Sequence, residues 1–304
     1  MDCSDEIKVG DEYMKRKKTF SDLALDIFVY VTLIVLLVIF LYPVWYTIVA
    51  SFATSDEVQL RQGMMLWPKN FTTGAYKLVL ENRAFMTGFR QSILLLLGGL
   101  PINIVMTLLC GYFMAKPNMF WKKPIIAMIM FTMFFSGGMI PNYLNVKSLG
   151  LLDTLWSLIL PGALSVYNAI ICKTAIEAIP ESLSESAHID GANSLQVLWK
   201  IITPLLKPTL AVLLLYYGVA HWNAWFNASL YITTESKLPV QNILRNVLEA
   251  SKKTNENAAV DAFDGYGETI RYAAIVVSTF PIMCIYPFLQ KYFAKGAMIG
   301  AVKG

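Results

Sequence analysis

The chain has 304 residues, of which 56% are hydrophobic and only 15% are charged. Soluble globular domains are about half apolar and about a quarter charged, so this composition excludes an ordinary soluble domain and indicates a chain that folds in lipid. The net charge of +4 is small, and the basic run 15–18 carries none of the aromatic or glycine residues of a nucleic-acid site.

The N-terminus is predicted to be a cytoplasmic tail. Residues 1–22 are polar and mixed in charge, and the basic run 15–18 directly precedes the first apolar stretch, as is typical of a cytoplasmic flank. That first stretch is too long for a signal peptide and lacks a small-residue cleavage pattern. A transmembrane domain is predicted over residues 23–304.

Six uncharged apolar stretches follow along the chain. A membrane span needs about 20 apolar residues, and lipid leaves unpaired backbone groups unsatisfied, so each stretch is expected to be a helix. Asp153 is expected to cap the helix of the fourth stretch. The predicted fold class is an all-α membrane protein with about six transmembrane helices. The stretches cover residues 27–50, 92–115, 124–146, 154–172, 208–234 and 272–289.

Lysines set the expected orientation. Basic residues in short loops favour the cytoplasmic side, and an inside N-terminus puts most loop lysines inside. The sequence therefore predicts a multi-pass protein with both termini cytoplasmic. The lysines on the predicted inner side are Lys116, Lys122, Lys123, Lys200, Lys207, Lys291, Lys295 and Lys303.

The inner segment 178–204 has the pattern of two short helices. Pro180 suits the first turn of a helix, and Gly191 ends that helix because glycine adopts a positive φ without steric cost. A second helix with an apolar stripe follows and is predicted to end at Pro204. A compact cytoplasmic knob and a helix pair lying on the lipid surface fit this pattern equally well.

This segment also carries a recognisable signature. Glu185-Ser186-Ala187, then Gly191, then Ile201 and Pro204 resemble the Glu-Ala-Ala signature of ABC-importer permeases. Ser186 replaces the second residue of the signature and Thr203 replaces its distal Leu, and both changes keep the helix–turn–helix pattern. The resemblance implies that the segment binds an ATPase subunit and couples it to the pore. The residues implied are Glu185, Ser186, Ala187, Asp190, Gly191, Leu195, Leu198, Trp199 and Pro204.

Other segments resemble the carbohydrate-uptake branch of these permeases, and the resemblance covers nearly all of residues 42–304. Residues 134–141 are similar to permeases of the complex-oligosaccharide and aldouronate type. The resemblance implies a type I ABC importer fold in the bacterial cell membrane. It implies as partners a second homologous permease, two copies of a cytoplasmic ATP-binding subunit, an extracellular solute-binding protein and membrane lipid. The other similar segments are 179–183, 189–192, 222–227, 290–293 and 300–304.

Aromatic and amide side chains in the third and fifth stretches are candidates for the substrate path. Aromatic faces stack on sugar rings and amides bond hydroxyl groups, although aromatic residues are also typical of membrane interfaces and a histidine there is also consistent with packing. The candidates are Tyr143, Tyr216, Tyr217, His221, Trp222, Asn223 and Asn227.

The expected function is ATP-driven transport of oligosaccharides. The chain has no Walker-type phosphate loop, so a partner is expected to hydrolyse the ATP. We expect no catalytic residue, no metal site, no cofactor and no nucleic-acid partner. An intramembrane enzyme is disfavoured because His188 and His221 are not accompanied by a ligand cluster or a nucleophile. A secondary transporter is disfavoured by the lack of internal repeats and of paired intramembrane carboxylates. The remaining alternative is a permease for a peptide or another small solute.

Overall fold

The computed structural model describes residues 20–61, 63–116, 121–253 and 267–301, and within them the chain forms helices and no strand, which confirms the all-α class. The basic run 15–18, most of the predicted tail 1–22 and Lys303 lie outside these residues. A π-helical turn (Leu198–Ile202) and a 3-10 turn (Glu235–Lys237) accompany the helices. The helices are α1 (Phe20–Ser51), α2 (Ser55–Arg61), α3 (Gly74–Glu81), α4 (Arg83–Ala115), α5 (Lys122–Phe134), α6 (Met139–Ser148), α7 (Trp156–Ile159), α8 (Val166–Glu177), α9 (Glu181–Ile189), α10 (Ser194–Val197), α11 (Thr203–Leu205), α12 (Lys207–Trp222), α13 (Trp225–Tyr231), α14 (Val240–Lys253) and α15 (Gly267–Ala301).

Three of the described helices are long and apolar enough to cross a membrane alone. They are α1 over Ser21–Ser51, α4 over Arg83–Ala115 and α15 over Gly267–Ile285. The number rises to 5 if each bent pair is one span, namely α5 with α6, bent by 111°, and Ser194–Leu205 with α12, bent by 86°. The protein is therefore a multi-pass membrane protein.

The third, fourth and fifth apolar stretches are not the continuous helices that the sequence predicts. α5 and α6 are separated at Gly138, whose φ is +91°. The fourth stretch forms α7 and α8 on either side of residues 160–165, where Pro161 lacks the N–H that a helix interior needs. α12 and α13 are separated at Asn223. An unbroken run of apolar residues predicts a lipid environment but carries no information about these backbone interruptions.

Helix α4 is the centre of the packing and contacts α8, α12 and α14. α4 and α8 approach closely at Gly111, where an added Cβ would lie 2.8 Å from the Cys172 Sγ. Small residues at such contacts allow close approach, because packing rather than water exclusion holds helices together in lipid. Leu108 and Cys172 belong to a buried apolar cluster that continues through Leu198 and Ile202 into the segment 178–204.

The loops predicted for opposite sides of the membrane lie at opposite ends of the bundle. We name the two ends after the predicted orientation. At the end that carries the segment 178–204, which we call the inner end, Lys116 Nζ donates to Ser194 Oγ at 3.0 Å. At the outer end, the Ser55 and Thr269 hydroxyls lie 3.2 Å apart, and Gln91 Nε2 donates to the Ser236 carbonyl. These contacts join segments that are far apart in the sequence.

Asp153 fixes the outer end of the bundle and is not the helix cap that the sequence predicts. Its φ is +59°, and its carboxylate accepts hydrogen bonds from the Thr233 and Thr234 amides at 3.1 and 2.9 Å. Lys237 Nζ lies 2.6 Å from Asp153 Oδ2. The Lys237 ammonium and the Thr234 donors hold the pKa of Asp153 well below its usual value. We call this group of residues the outer clamp.

The outer clamp predicts a pH-dependent contribution to stability. Asp153→Asn removes the charge and should lower the thermal unfolding midpoint of the detergent-solubilised protein at neutral pH. Because folding lowers the pKa of Asp153 from its ordinary value of 3.8, this stabilisation is present above that pH and is lost as pH falls through the lowered pKa. The difference between wild type and variant should therefore shrink in strong acid.

Glu235→Gln is the matched control, since Glu235 is an exposed carboxyl on the loop that carries Thr234 and Lys237. It should leave the midpoint close to that of the wild type at every pH. Equal midpoints for Asp153→Asn and Glu235→Gln at neutral pH would contradict the role of the clamp.

Candidate functional site

Helix α9, the first half of the segment 178–204, ends in a tight backbone motif at Gly191. Gly191 has a φ of +84°, which glycine adopts without strain. The Ala192 N–H donates to the Ala187 carbonyl at 2.9 Å, and the Gly191 N–H donates to the His188 carbonyl at 3.1 Å. These two bonds form a Schellman motif, which satisfies terminal carbonyls of α9 and turns the chain sharply. Gly191 therefore ends the helix, as the sequence predicts.

The second half begins with a capping box, in which Asn193 and Gln196 each accept the other's backbone N–H at 2.9 and 2.8 Å. The π turn follows, and the chain stays helical through Pro204 to Leu205. The predicted end at Pro204 is therefore correct to within one residue. Pro204 has no N–H and its ring crowds the carbonyl four residues earlier, and the wider π turn accommodates both effects.

Most residues implied in ATPase coupling are exposed on this knob, which comprises α9, α10, the π turn and α11. Ala187 and Leu198 are exceptions, because both are buried in the apolar cluster that contains Leu108 and Cys172. The predicted stripe thus divides: Leu195 and Trp199 face outward, whereas Leu198 attaches the knob to the bundle. The exposed residues are Glu185, Ser186, Asp190, Gly191, Leu195, Trp199 and Pro204.

Two features of the knob were not anticipated from the sequence. Ile189, in the last turn of α9, is 86% exposed; its place directly before the Asp-Gly turn was the available signal. A cleft of about 290 Å³ lies between the knob and the ends of α4 and α8, and Lys116, Glu177, Glu185 and His188 are among its lining residues. Glu185 therefore borders open space, where its carboxylate is free to meet a partner.

A buried polar network holds the interrupted fourth stretch inside the bundle. Asn103 Nδ2 donates to the Gly162 and Ala163 carbonyls at 2.9 and 3.0 Å. Asn103 Oδ1 lies 2.7 Å from His221 Nε2, which therefore donates to it. In lipid, non-helical backbone needs partners from the protein, and Asn103 supplies them for residues 160–165.

A second branch of the network comes from Tyr217. Its hydroxyl accepts the Ser165 N–H at 2.9 Å and lies 2.7 Å from Thr107 Oγ1. Ser165 in turn caps α8, since its side chain accepts the Asn168 N–H. α4 and α12 therefore hold the start of α8 from two sides.

These contacts change the interpretation of the substrate-path candidates. Tyr217, His221 and Trp222 are buried, and the Trp222 indole donates to the Ser278 carbonyl at 3.1 Å. A Cβ at Gly99 would lie 2.7 Å from His221 Nε2, so the imidazole fills the space against α4. The side chains of these three residues are occupied in packing and do not line an open path, contrary to the prediction.

The remaining path candidates are more accessible. Tyr216, Asn223 and Asn227 are exposed, and Tyr143 is half-buried against Tyr231 with ring centroids 6.3 Å apart. Tyr216 lies in α12, and Asn223 is the residue that directly follows its last turn. The two are about two helical turns apart, so they lie on the same side, away from the buried Tyr217 and His221.

Tyr167 and Asn103 are site residues that the sequence analysis missed. Tyr167 is 54% exposed, and its ring centroid lies 6.3 Å from that of Tyr216. We call the exposed side chains of Tyr167, Tyr216 and Asn223 the α8–α12 surface. Asn103 could have been found from the sequence, because an amide inside an apolar span is unusual. Nothing in the sequence indicates that Tyr167 lies beside α12.

In the described part of the chain, no cluster of three or more potential metal ligands is present.

Comparisons with known proteins agree with this architecture. A family model described as "Binding-protein-dependent transport system inner membrane component" matches residues 101–298, more than half of the chain. The chain is 43% identical to protein LplC of Bacillus subtilis (strain 168) over 267 residues, which cover 86% of this chain and 89% of that protein.

Two further comparisons bear on the kind of solute. The chain is 38% identical to the polygalacturonan/rhamnogalacturonan transport system permease protein YtcP of Bacillus subtilis (strain 168), covering 92% of this chain and 98% of that protein. The solved structure of a bacterial ABC transporter involved in the import of the acidic polysaccharide alginate contains a chain that matches with a TM-score of 0.83 and 31% identity. That match covers 92% of this chain and 100% of the other.

The buried network predicts a large loss of stability for Asn103→Leu. The substitution removes the donor to the part-buried Gly162 and Ala163 carbonyls and the acceptor for the buried His221 Nε2. An unsatisfied buried group costs about 1–3 kcal/mol. The thermal unfolding midpoint of the purified protein should fall clearly. Asn145→Leu, the same change at an exposed position of α6, should have little effect, and similar midpoints for the two variants would show that the network is not required.

Proposed function

The chain belongs to the family of binding-protein-dependent transport system inner membrane components, and we propose that its cargo is an oligosaccharide. It is a membrane-embedded permease subunit of an ABC importer and not an enzyme. The proposal for the cargo is supported by the polysaccharides named for two of the similar proteins. Peptides and other small solutes, the alternative cargo, have no comparable support among these proteins.

We propose that the permease works with a second homologous permease, two copies of an ATP-binding subunit and an extracellular solute-binding protein. Helix α4 is packed against α8, α12 and α14, so we expect a second permease to supply the opposite wall of a path wide enough for an oligosaccharide. The inner end carries the knob, with its exposed Glu185 and Lys200, and Lys116 beside it. This arrangement supports an orientation with both termini in the cytoplasm, where the ATPase is located.

The observation that carries the proposal is the construction of the knob. Its exposed side presents Glu185, Ile189 and Leu195 to a partner. Its buried side joins Leu198 to the cluster around Leu108 in α4 and Cys172 in α8. A displacement of the knob by an ATPase therefore acts directly on the helices of the bundle, and residues 178–204 form the proposed coupling segment.

Gly191 offers a direct test of coupling. A Cβ at this position meets no atom within 4 Å, so backbone conformation alone limits substitution. Gly191→Val forces a β-branched residue to a positive φ at a cost of about 1–2 kcal/mol. Uptake and substrate-stimulated ATP hydrolysis should fall together when both are measured on the same reconstituted importer.

Gly191→Asn is the matched control, since asparagine tolerates the left-handed conformation, and it should retain most of both activities. Glu185→Arg should also lower both activities, because it reverses the charge offered to the ATPase. Wild-type uptake and hydrolysis in Gly191→Val would mean that this segment does not couple the ATPase to the pore.

We propose that the α8–α12 surface, together with Asn227, lines the path for the saccharide. The exposed amides of Asn223 and Asn227 are unfavourable against hydrocarbon, so these side chains are expected to face water or another protein rather than lipid. Aromatic rings and amide groups suit the apolar faces and hydroxyl groups of sugars. Tyr143, which stacks on Tyr231, is a further candidate at the outer end.

Alanine at Tyr216, Asn223 or Asn227 should weaken transport without disturbing assembly. Loss of one hydrogen bond is worth about 0.5–1.5 kcal/mol, or roughly a two- to tenfold rise in the oligosaccharide concentration that half-saturates uptake. Tyr30→Ala, at an exposed tyrosine on α1, is the control. Uptake is measured in vesicles with the binding protein present. If all three variants take up the oligosaccharide as well as Tyr30→Ala does, the path lies elsewhere.

A further inference from the structure

The segment between α1 and α3 exposes an unusual number of apolar side chains at the outer end of the bundle. Leu60 and Met64 are each 84% exposed, and Leu66, Trp67 and Phe71 are each at least two-thirds exposed. We call these five side chains the outer strip. Monomeric proteins rarely leave a contiguous apolar group of this kind in water.

The outer strip is held in place by the rest of the molecule. Met65, between its members, is fully buried with Val58 in a cluster that includes the end of α1. The Glu57 carboxylate accepts the Lys69 and Asn70 amides at 2.8 and 3.2 Å. Burial opposes ionisation of Glu57, but these amides and the nearby cations hold its pKa below the usual value, so the carboxylate is charged at neutral pH.

The position of the outer strip follows from two hydrogen bonds to α1. The Tyr42 hydroxyl donates to the Gly63 carbonyl at 2.7 Å, and the Trp45 indole donates to the Leu66 carbonyl at 2.9 Å. At a rise of 1.5 Å per residue, Tyr42 and Trp45 lie about 14 and about 9 Å below the end of α1 at Ser51. The segment therefore folds back beside α1 instead of projecting away from the bundle.

That depth coincides with the expected outer boundary of the hydrocarbon. Residues 27–50 of α1 carry no charge, and a span of about 20 residues from residue 27 ends near Tyr46. Trp45 and Trp67 have ring centroids 6.4 Å apart, and tryptophan is enriched at this boundary. The side chains of Tyr42 and Trp45 also satisfy carbonyls that would otherwise meet a poorly hydrated region.

We propose that the outer strip is an interfacial anchor whose apolar side chains enter the outer leaflet at the boundary between headgroups and acyl chains. A lipid surface fits better than the solute-binding protein, because the strip lies beside α1 and continues its apolar exposed surface. Lys69 and Asn70 lie between Trp67 and Phe71 and are exposed, which suits a strip placed at the level of the lipid headgroups. The anchor fixes the depth of α1 and removes this segment from the surface on which the binding protein docks.

Collision accessibility of spin labels tests the anchor. Single cysteines replace Leu60, Met64 or Trp67 in a chain whose native cysteines are changed to serine, and the complete importer is reconstituted in lipid nanodiscs. Leu60 and Met64 are so exposed that a label there does not disturb packing. Lys77→Cys, on the exposed side of α3, reports an aqueous position in the same outer segment.

The labels on the outer strip should collide more often with oxygen and less often with a water-soluble nickel chelate than the label at position 77. Accessibility equal to that at position 77 would place the strip in water and overturn the proposal. Protection from both reagents would mean that the second permease covers it, and protection that appears only with the substrate-loaded binding protein would make it a docking surface. Either result would also overturn the proposed lipid anchor. The proposed import function would stand in each case, because the labels report only where the strip lies.

Discussion

The interior of this permease depends on the need to satisfy backbone groups where a membrane helix is interrupted. Residues 160–165 leave the helical path between α7 and α8, and lipid offers no hydrogen bonds to replace those lost. Asn103 from α4 and Tyr217 from α12 provide these bonds. The same bonds fix the three helices relative to one another, so the interruption and the packing around it are parts of one arrangement.

That arrangement explains how an event at the inner end can reach the membrane interior. The knob is stiff because a Schellman motif and a capping box fix its turn, and Leu198 and Ile202 bury it in the cluster that contains Leu108 and Cys172. Residues of α4 and α8 are thus shared between the base of the knob and the buried polar network. In the proposed coupling, a displacement of the knob would act on α4 and α8 directly, through Leu198 and Ile202.

The outer end is fixed by different means. The outer clamp uses charge, since Asp153 joins Lys237 to two backbone amides next to α13. The segment after α1 uses aromatic donors and the buried Glu57 carboxylate. Both devices add polar contacts to loops that also bury an apolar residue, Met65 in the segment after α1 and Ile232 beside the outer clamp.

The sequence by itself determined the membrane class, the helical fold, the glycine stop at Gly191 and the resemblance to importer permeases. Only the tertiary structure decided that Tyr217 and His221 point inward whereas Tyr216 and Asn223 point outward. In a soluble protein, polarity distinguishes the buried face of a helix from the exposed one. In a membrane protein both the lipid and the packed interior are apolar, so the pattern of apolar residues does not specify which side faces the protein. The interruptions at Gly138, at 160–165 and at Asn223 were equally hidden, because distant side chains satisfy the backbone at 160–165 and no local pattern records such partners.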